Sequence, residues 1–282
     1  VLKIVPSFKG VDEARLTESD ISIITQNKAQ IASDQSNGWQ YESRRVPQRI
    51  LDFLFLGPAS AARDHEFLTK EGITMILGCR DTKFQLGFAS IQKAAVGLEI
   101  EARFVDVIDG KAGFIKAFRD ATGAINSHLL DVYWRQAIAD ESDPSSIAID
   151  SQNFRRGKVM VCCESGNERS AAIVAAYIMS VFNVDCVRAM QFVGLQRFCA
   201  NFDDETKFVL KAYEDTLKAA EDVKNQLLAF QNAVQTAPTQ GAKRRIDDTM
   251  DEDDTANQNT AMEMDVSDQE RYKNRHFVPF ID

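Results

Sequence analysis

Short apolar runs at residues 50–56, 73–77, 104–108 and 159–163 are each closed by glycine or polar residues, with helical patterns such as 59–71 and 114–138 between them. Continuous apolar runs of this length suit strands buried on both faces. Their alternation with helices predicts an α/β fold: a single domain with a central mixed sheet flanked by helices. A polar stretch at 139–156 reads as a surface loop feeding the last run, and helical stretches follow at 170–182, 185–196 and 203–230. The 282 residues suffice for one sizeable core and require no second full domain. Residues 1–43, mixed and polar, read as a flexible N-terminal extension, and 44–222 as the domain. The remainder, 223–282, reads as a helix end followed by an acidic, largely disordered tail.

The last apolar run carries the chemistry. It ends in Cys162 and Cys163, passes through Glu164, Ser165, Gly166, Asn167, Glu168 and Arg169, and becomes a helix at Ser170. A strand, a tight glycine-containing loop and a helix N-terminus together aim backbone N–H groups and a positive dipole end at one point, which suits a tetrahedral oxyanion. Phosphate is the expected guest of residues 164–169, with the planar fork of Arg169 able to grip two of its oxygens. The same dipoles favour the thiolate of a cysteine on the floor, so Cys163 is the candidate nucleophile, and the Ser170 hydroxyl can donate to its sulfur.

The spacing Cys163-x5-Arg169-Ser170 resembles the signature of cysteine-dependent protein tyrosine and dual-specificity phosphatases. The flanks SAAIVAAYIM, RAMQFVGLQRFCAN, LFLGPASAA and EGITMILGCR extend the likeness over about residues 44–220. Segment by segment they resemble the serine/threonine/tyrosine-interacting branch, known as STYX, whose known members are pseudophosphatases. The resemblance implies two readings. One is a binding module in signalling or protein turnover whose partner is a phosphorylated protein or a regulatory protein. The other is an active phosphatase in which Cys163 is the nucleophile, Arg169 the phosphate clamp and Asp109 the general acid, with Asp106 as the runner-up for that place. Active members carry His before the nucleophile, where this chain has Cys162. The STYX branch keeps that His and loses the nucleophile, the reverse of what stands here. Asn167 and Glu168 replace a β-branched and a small residue, and together with Glu164 the loop brings carboxylates close to a site suited to a dianion.

Other features restrict the reading. A formal charge of −9 argues against a general nucleic-acid or membrane-surface binder. An odd set of cysteines, Cys79, Cys162, Cys163, Cys186 and Cys199, reads as reduced thiols of a cytoplasmic or nuclear protein, with Cys79, Cys186 and Cys199 as small buried hydrophobes. No metal or other cofactor is expected, because His65, His128 and His276 fall outside the motif and no CxxC pair exists. In the tail, Lys243-Arg244-Arg245 precedes an acidic run, and Phe277, Val278, Phe280 and Ile281 form an apolar end suited to docking on the chain's own core or, as a short linear motif, on a partner.

Overall fold

The computed structural model describes residues 1–8, 16–81, 88–108, 110–139, 147–149 and 154–236. In chain order the elements are β1 (Leu2–Ile4), α1 (Glu18–Thr25), β2 (Gln30–Ala32), β3 (Gln48–Leu51), β4 (Leu54–Pro58), α2 (His65–Glu71), β5 (Met75–Asp81) and α3 (Ala89–Leu98). They continue with β6 (Glu101–Val107), α4 (Lys111–Trp134), β7 (Ala137–Ala139), β8 (Ile147–Ile149), β9 (Val159–Cys163), α5 (Arg169–Phe182), α6 (Cys186–Gln196) and α7 (Asp204–Thr236). Short 3-10 turns occupy Tyr41–Arg45 and Ala59–Arg63.

The main sheet has the order β3-β4-β9-β5-β6, parallel except for the β3–β4 hairpin at one edge. The expected strand at 50–56 is therefore two strands. The chain turns at Asp52 and Phe53, and the buried Phe53 ring meets Tyr177 edge-on at 6.2 Å. The last apolar run becomes β9, the central strand, buried along its whole length. Side chains alternate across a strand, so Val159, Val161 and Cys163 join the layer built by α4, α5 and α6, while Met160 and Cys162 join the layer under α2 and α3. Helix α5 is buried from Ser170 to Phe182, as befits a helix apolar on all sides. Each fully buried Val or Ile there contributes about 1.5–3 kcal/mol relative to exposure.

Helix boundaries follow local chemistry. Asp64 caps α2 by accepting from the Phe67 N–H at 2.9 Å, and Gly72 closes it in the left-handed conformation. Asp185 caps α6 by accepting from the Arg188 N–H at 2.8 Å.

The N-terminal segment departs from the expected flexible extension. β1 pairs antiparallel with β2, and Thr17 and Asp20 cap α1 reciprocally. Ile4, Ile21, Ile24 and Ala32 are buried in the same core layer as β9. Its apolar residues come in ones and twos among polar ones, which hid a buried face from composition. In the expected loop at 139–156, β7 and β8 pair antiparallel. Residues 140–146 and 150–153 lie outside the described residues, as does the chain from 237 onward with its basic, acidic and apolar tail features. Among the described residues no helix is long and apolar enough to cross a membrane.

Candidate functional site

The loop between β9 and α5 sits at the C-terminal end of the central parallel strands, where open α/β sheets place their ligands. Its turn depends on Gly166, whose φ of +75° favours glycine. A Cβ there would lie 2.3 Å from the Gly57 carbonyl carbon, so the loop closes directly onto the end of β4. Gly57 in turn packs against Pro47, which a Cβ would meet at 2.8 Å. Two glycines thus bring three backbone segments together beneath one sulfur.

That sulfur is Cys163, only 2% exposed. Its Sγ accepts from the Gly166 N–H at 3.2 Å and from the Ser170 hydroxyl at 3.1 Å. Donors from both sides of the loop present the thiol as an acceptor. Helix α5 begins at Arg169 without a side-chain cap from Glu168, which leaves its first N–H groups, lacking partners within the helix, facing the loop. Around the rim, Glu164, Ser165 and Glu168 are exposed, Asn167 and Arg169 are half-buried, and Gly166 and Ser170 are buried. Ser165 Oγ accepts from the Asn167 N–H at 3.2 Å.

Two residues escaped the sequence reading. Arg169 donates from Nη2 to Asp81 Oδ2 at 2.6 Å, and Asp81 is nearly buried at the end of β5. The apolar run ends at residue 77, whereas β5 continues to Asp81 and delivers a carboxylate to the loop. The second is Arg197, 1% exposed. It donates to the Gly166 carbonyl at 3.0 Å, to Asn167 Oδ1 at 2.9 Å, to the Val46 carbonyl at 3.0 Å and to the Arg44 carbonyl at 2.8 Å, and it also reaches Gln48 Oε1. Burial pushes its pKa down. An arginine inside the apolar stretch FVGLQRFCA was the available signal. The backbone adds a further tie, from the Asn201 N–H to the Asn167 carbonyl at 2.7 Å.

Asp109 lies outside the described residues. Asp106 is exposed and paired with Arg80, whose Nε donates to Oδ1 at 2.8 Å. Cys162, in the place of the family's His, is fully buried among apolar side chains on the opposite sheet face, and burial pushes its thiol far up. Cys162 and Cys163 are both free thiols on opposite faces of the strand.

A thiol on the floor of a strand-loop-helix anion cradle, with an arginine and a hydroxyl after it, defines the class of cysteine-dependent phosphatase folds. The profile of the dual specificity phosphatase catalytic domain matches residues 54–216, and the chain belongs to that family. Within it, the chain is similar to Serine/threonine/tyrosine-interacting protein B of Xenopus laevis, with 29% identity over 223 residues, covering 77% of this chain and 88% of that protein. It is also similar to the Mus musculus Serine/threonine/tyrosine-interacting protein, with 31% identity over 191 residues, covering 64% and 70%. Among solved structures it matches the human tyrosine phosphatase-like serine/threonine/tyrosine-interacting protein, with 27% identity, a TM-score of 0.45, and coverage of 61% of this chain and 97% of that one.

Proposed function

We propose that this chain is a STYX-like regulatory module that binds a phosphorylated or regulatory protein partner, in signalling or protein turnover, in the cytoplasm or nucleus. Phosphate would sit on the N–H groups of residues 164–169 above Cys163. The observation that carries the reading is the Arg169–Asp81 pair at 2.6 Å: the clamp is already satisfied by an internal carboxylate. An incoming dianion must share or displace that carboxylate, which suits reversible recognition better than rapid turnover. Replacement of the family's imidazole by buried Cys162 supports the same direction.

The test is binding of inorganic phosphate and of phosphopeptides by calorimetry, with Asp81→Asn as the informative variant. Removing the competing charge is expected to tighten oxyanion binding by about tenfold, the equivalent of one charge-assisted hydrogen bond freed for the ligand. Unchanged or weaker binding in Asp81→Asn would remove the argument.

A second reading, an active dual-specificity phosphatase, is favoured by the two bonds donated to Cys163 Sγ. In it, Sγ attacks phosphorus as the ester P–O bond breaks, and Asp109 gives its proton to the departing oxygen. Water then attacks phosphorus, the P–S bond breaks, and Ser170 supports the leaving sulfur by donating to it. Turnover of an aryl phosphate separates the readings. Activity abolished by Cys163→Ser makes this an enzyme working without its usual His, whereas an inert parent awakened by Cys162→His makes it a phosphatase fold silenced at one position.

A further inference from the structure

A groove of about 640 Å³ opens beside α2 and α3, at the end of β9 opposite the Cys163 loop. Leu68 and Ile73 wall it from the core layer under these helices, and Leu98 and Ile100 border it from the turn between α3 and β6. The segment leading into β9 supplies charge: Lys158 is half-buried in the groove, and Arg155 is exposed at its rim. Lys158 Nζ donates to the Glu71 carbonyl at 2.6 Å and lies 5.9 Å from the centre of the Phe55 ring. An ammonium carries three donors, so capacity remains. Among the described residues no carboxylate pairs with Lys158 or with the Arg155 side chain. A cation held against apolar walls without a counter-charge favours an anion beside it. The neighbouring polar groups are engaged elsewhere. The Arg156 guanidinium lies 4.5 Å from the Phe53 ring centre and reaches the Ile24 carbonyl, and the Thr74 hydroxyl lies 2.8 Å from His128 Nε2.

Helices α2 and α3 both end at this groove, so their negative dipole ends border it and oppose a dianion. A single negative charge on an apolar body meets both conditions. The volume falls within the range of about 300–1,000 Å³ usual for small-molecule sites, whose walls are mainly apolar with a few convergent polar groups. We propose that the groove is a second binding site, for a small apolar monocarboxylate. Its carboxylate rests on Lys158 and Arg155, and its body covers Leu68, Ile73, Leu98 and Ile100. From Lys158 to Cys163 the strand spans about 16 Å, so this site and the loop can be filled at once. The proposal holds whether the loop binds phosphate, turns it over or does neither.

Decanoate, kept below its micelle-forming concentration, is the probe, titrated into the full chain by calorimetry and located by backbone amide chemical shifts. It should bind saturably, one per chain, with shifts at Gly72, Ile73, Leu98 and Lys158. Hexanoate, with fewer methylenes to bury, should bind more than about tenfold more weakly. Decanol, which lacks the charge, should bind about tenfold more weakly. Lys158→Met removes the ammonium, keeps most of the stem, and should cost about tenfold in decanoate affinity. If that variant does not fold, Arg155→Gln and Leu98→Gln decide the matter, each expected to weaken decanoate severalfold. Saturating inorganic phosphate should leave the affinity unchanged. No saturable binding, decanol bound as tightly as decanoate, shifts confined to another surface, affinity untouched by the variants, or displacement by phosphate would each overturn the proposal.

Discussion

The two ends of the central strands carry similar chemistry to opposite ends. At their N-terminal side, the Thr74 hydroxyl lies 2.8 Å from His128 Nε2, and His128 Nδ1 lies 2.5 Å from Glu101 Oε2, a sequence of hydroxyl, imidazole and carboxylate that resembles a nucleophile with its base. Every valence there is occupied. Thr74 Oγ1 also accepts the Lys158 N–H at 2.9 Å and lies 3.0 Å from the Lys158 carbonyl, Arg103 donates to Glu101 at 2.5 Å, and His128 is buried. Burial pushes the His128 pKa down against the pull of Glu101, which keeps the imidazole neutral as a joint between β5, β6 and α4. At the C-terminal side, the loop offers N–H groups at an uncapped helix start, and its arginine rests on a carboxylate that a ligand can replace. Saturation of hydrogen-bonding capacity, more than the identity of the residues, separates a structural cluster from a site.

The largest expected effect probes what holds the loop in place. Arg197→Met removes a buried cation that serves carbonyls of Gly166, Val46 and Arg44 at once, leaving these acceptors unpaired. A loss of about 3–5 kcal/mol is expected from chemical denaturation, together with loss of phosphate binding. If stability falls while binding survives, the loop keeps its shape without Arg197. Next comes Gly166→Ala, which forces a Cβ onto the Gly57 backbone at a positive φ. It should cost about 1–3 kcal/mol and abolish oxyanion binding. A variant that still binds phosphate would show that the turn at Gly166 does not shape the cradle.

Only the loop side of this contrast was legible in the sequence, and what was missed has physical causes. The strand, the loop and α5 were readable because an apolar run ending in a thiol and a glycine loop leaves few other conformations. Cys163 Sγ meets the Gly166 N–H and the Ser170 hydroxyl. Asp81 was hidden because β5 extends past its apolar stretch, and pairing with β6 rather than hydrophobicity carries the strand to its end. Arg197 was hidden because its partners are mainly carbonyls scattered over residues 44–48 and 166, which no sequence period reveals. The N-terminal core contacts were missed because Ile4, Ile21 and Ile24 stand in apolar clusters too short to mark a buried element among polar residues.

The saturated end gives the third prediction. Thr74→Val keeps the shape but removes the hydroxyl shared by His128 and Lys158, and should cost about 1–3 kcal/mol while leaving phosphate affinity at the loop unchanged. Affinity falling in parallel would mean that the two ends are coupled through β5 and β9, and the division between joint and site would fail.

The smallest expected effect extends the same logic to a helix junction. Glu214 on α7 accepts from the Cys186 N–H at the start of α6 at 3.1 Å and from Lys211 at 3.1 Å, and it also pairs with Lys218. Burial alone would raise its pKa, but the bonds from Lys218, Cys186 and Lys211 outweigh that and hold the carboxyl down at about 2 against an ordinary 4.5. Between those values the unfolded chain binds a proton that the folded chain refuses, so the stabilisation is complete above pH 4.5 and is lost as the pH falls toward 2. Glu214→Gln keeps the shape and removes the titration, so its stability should decline less steeply across that window. Because both lysines are largely exposed, the difference is expected to stay below about 1 kcal/mol. Parallel acid-unfolding curves for parent and variant would place the acid sensitivity elsewhere, with Glu101 at the saturated end of the sheet the next carboxylate to test, since it too is held below its ordinary value.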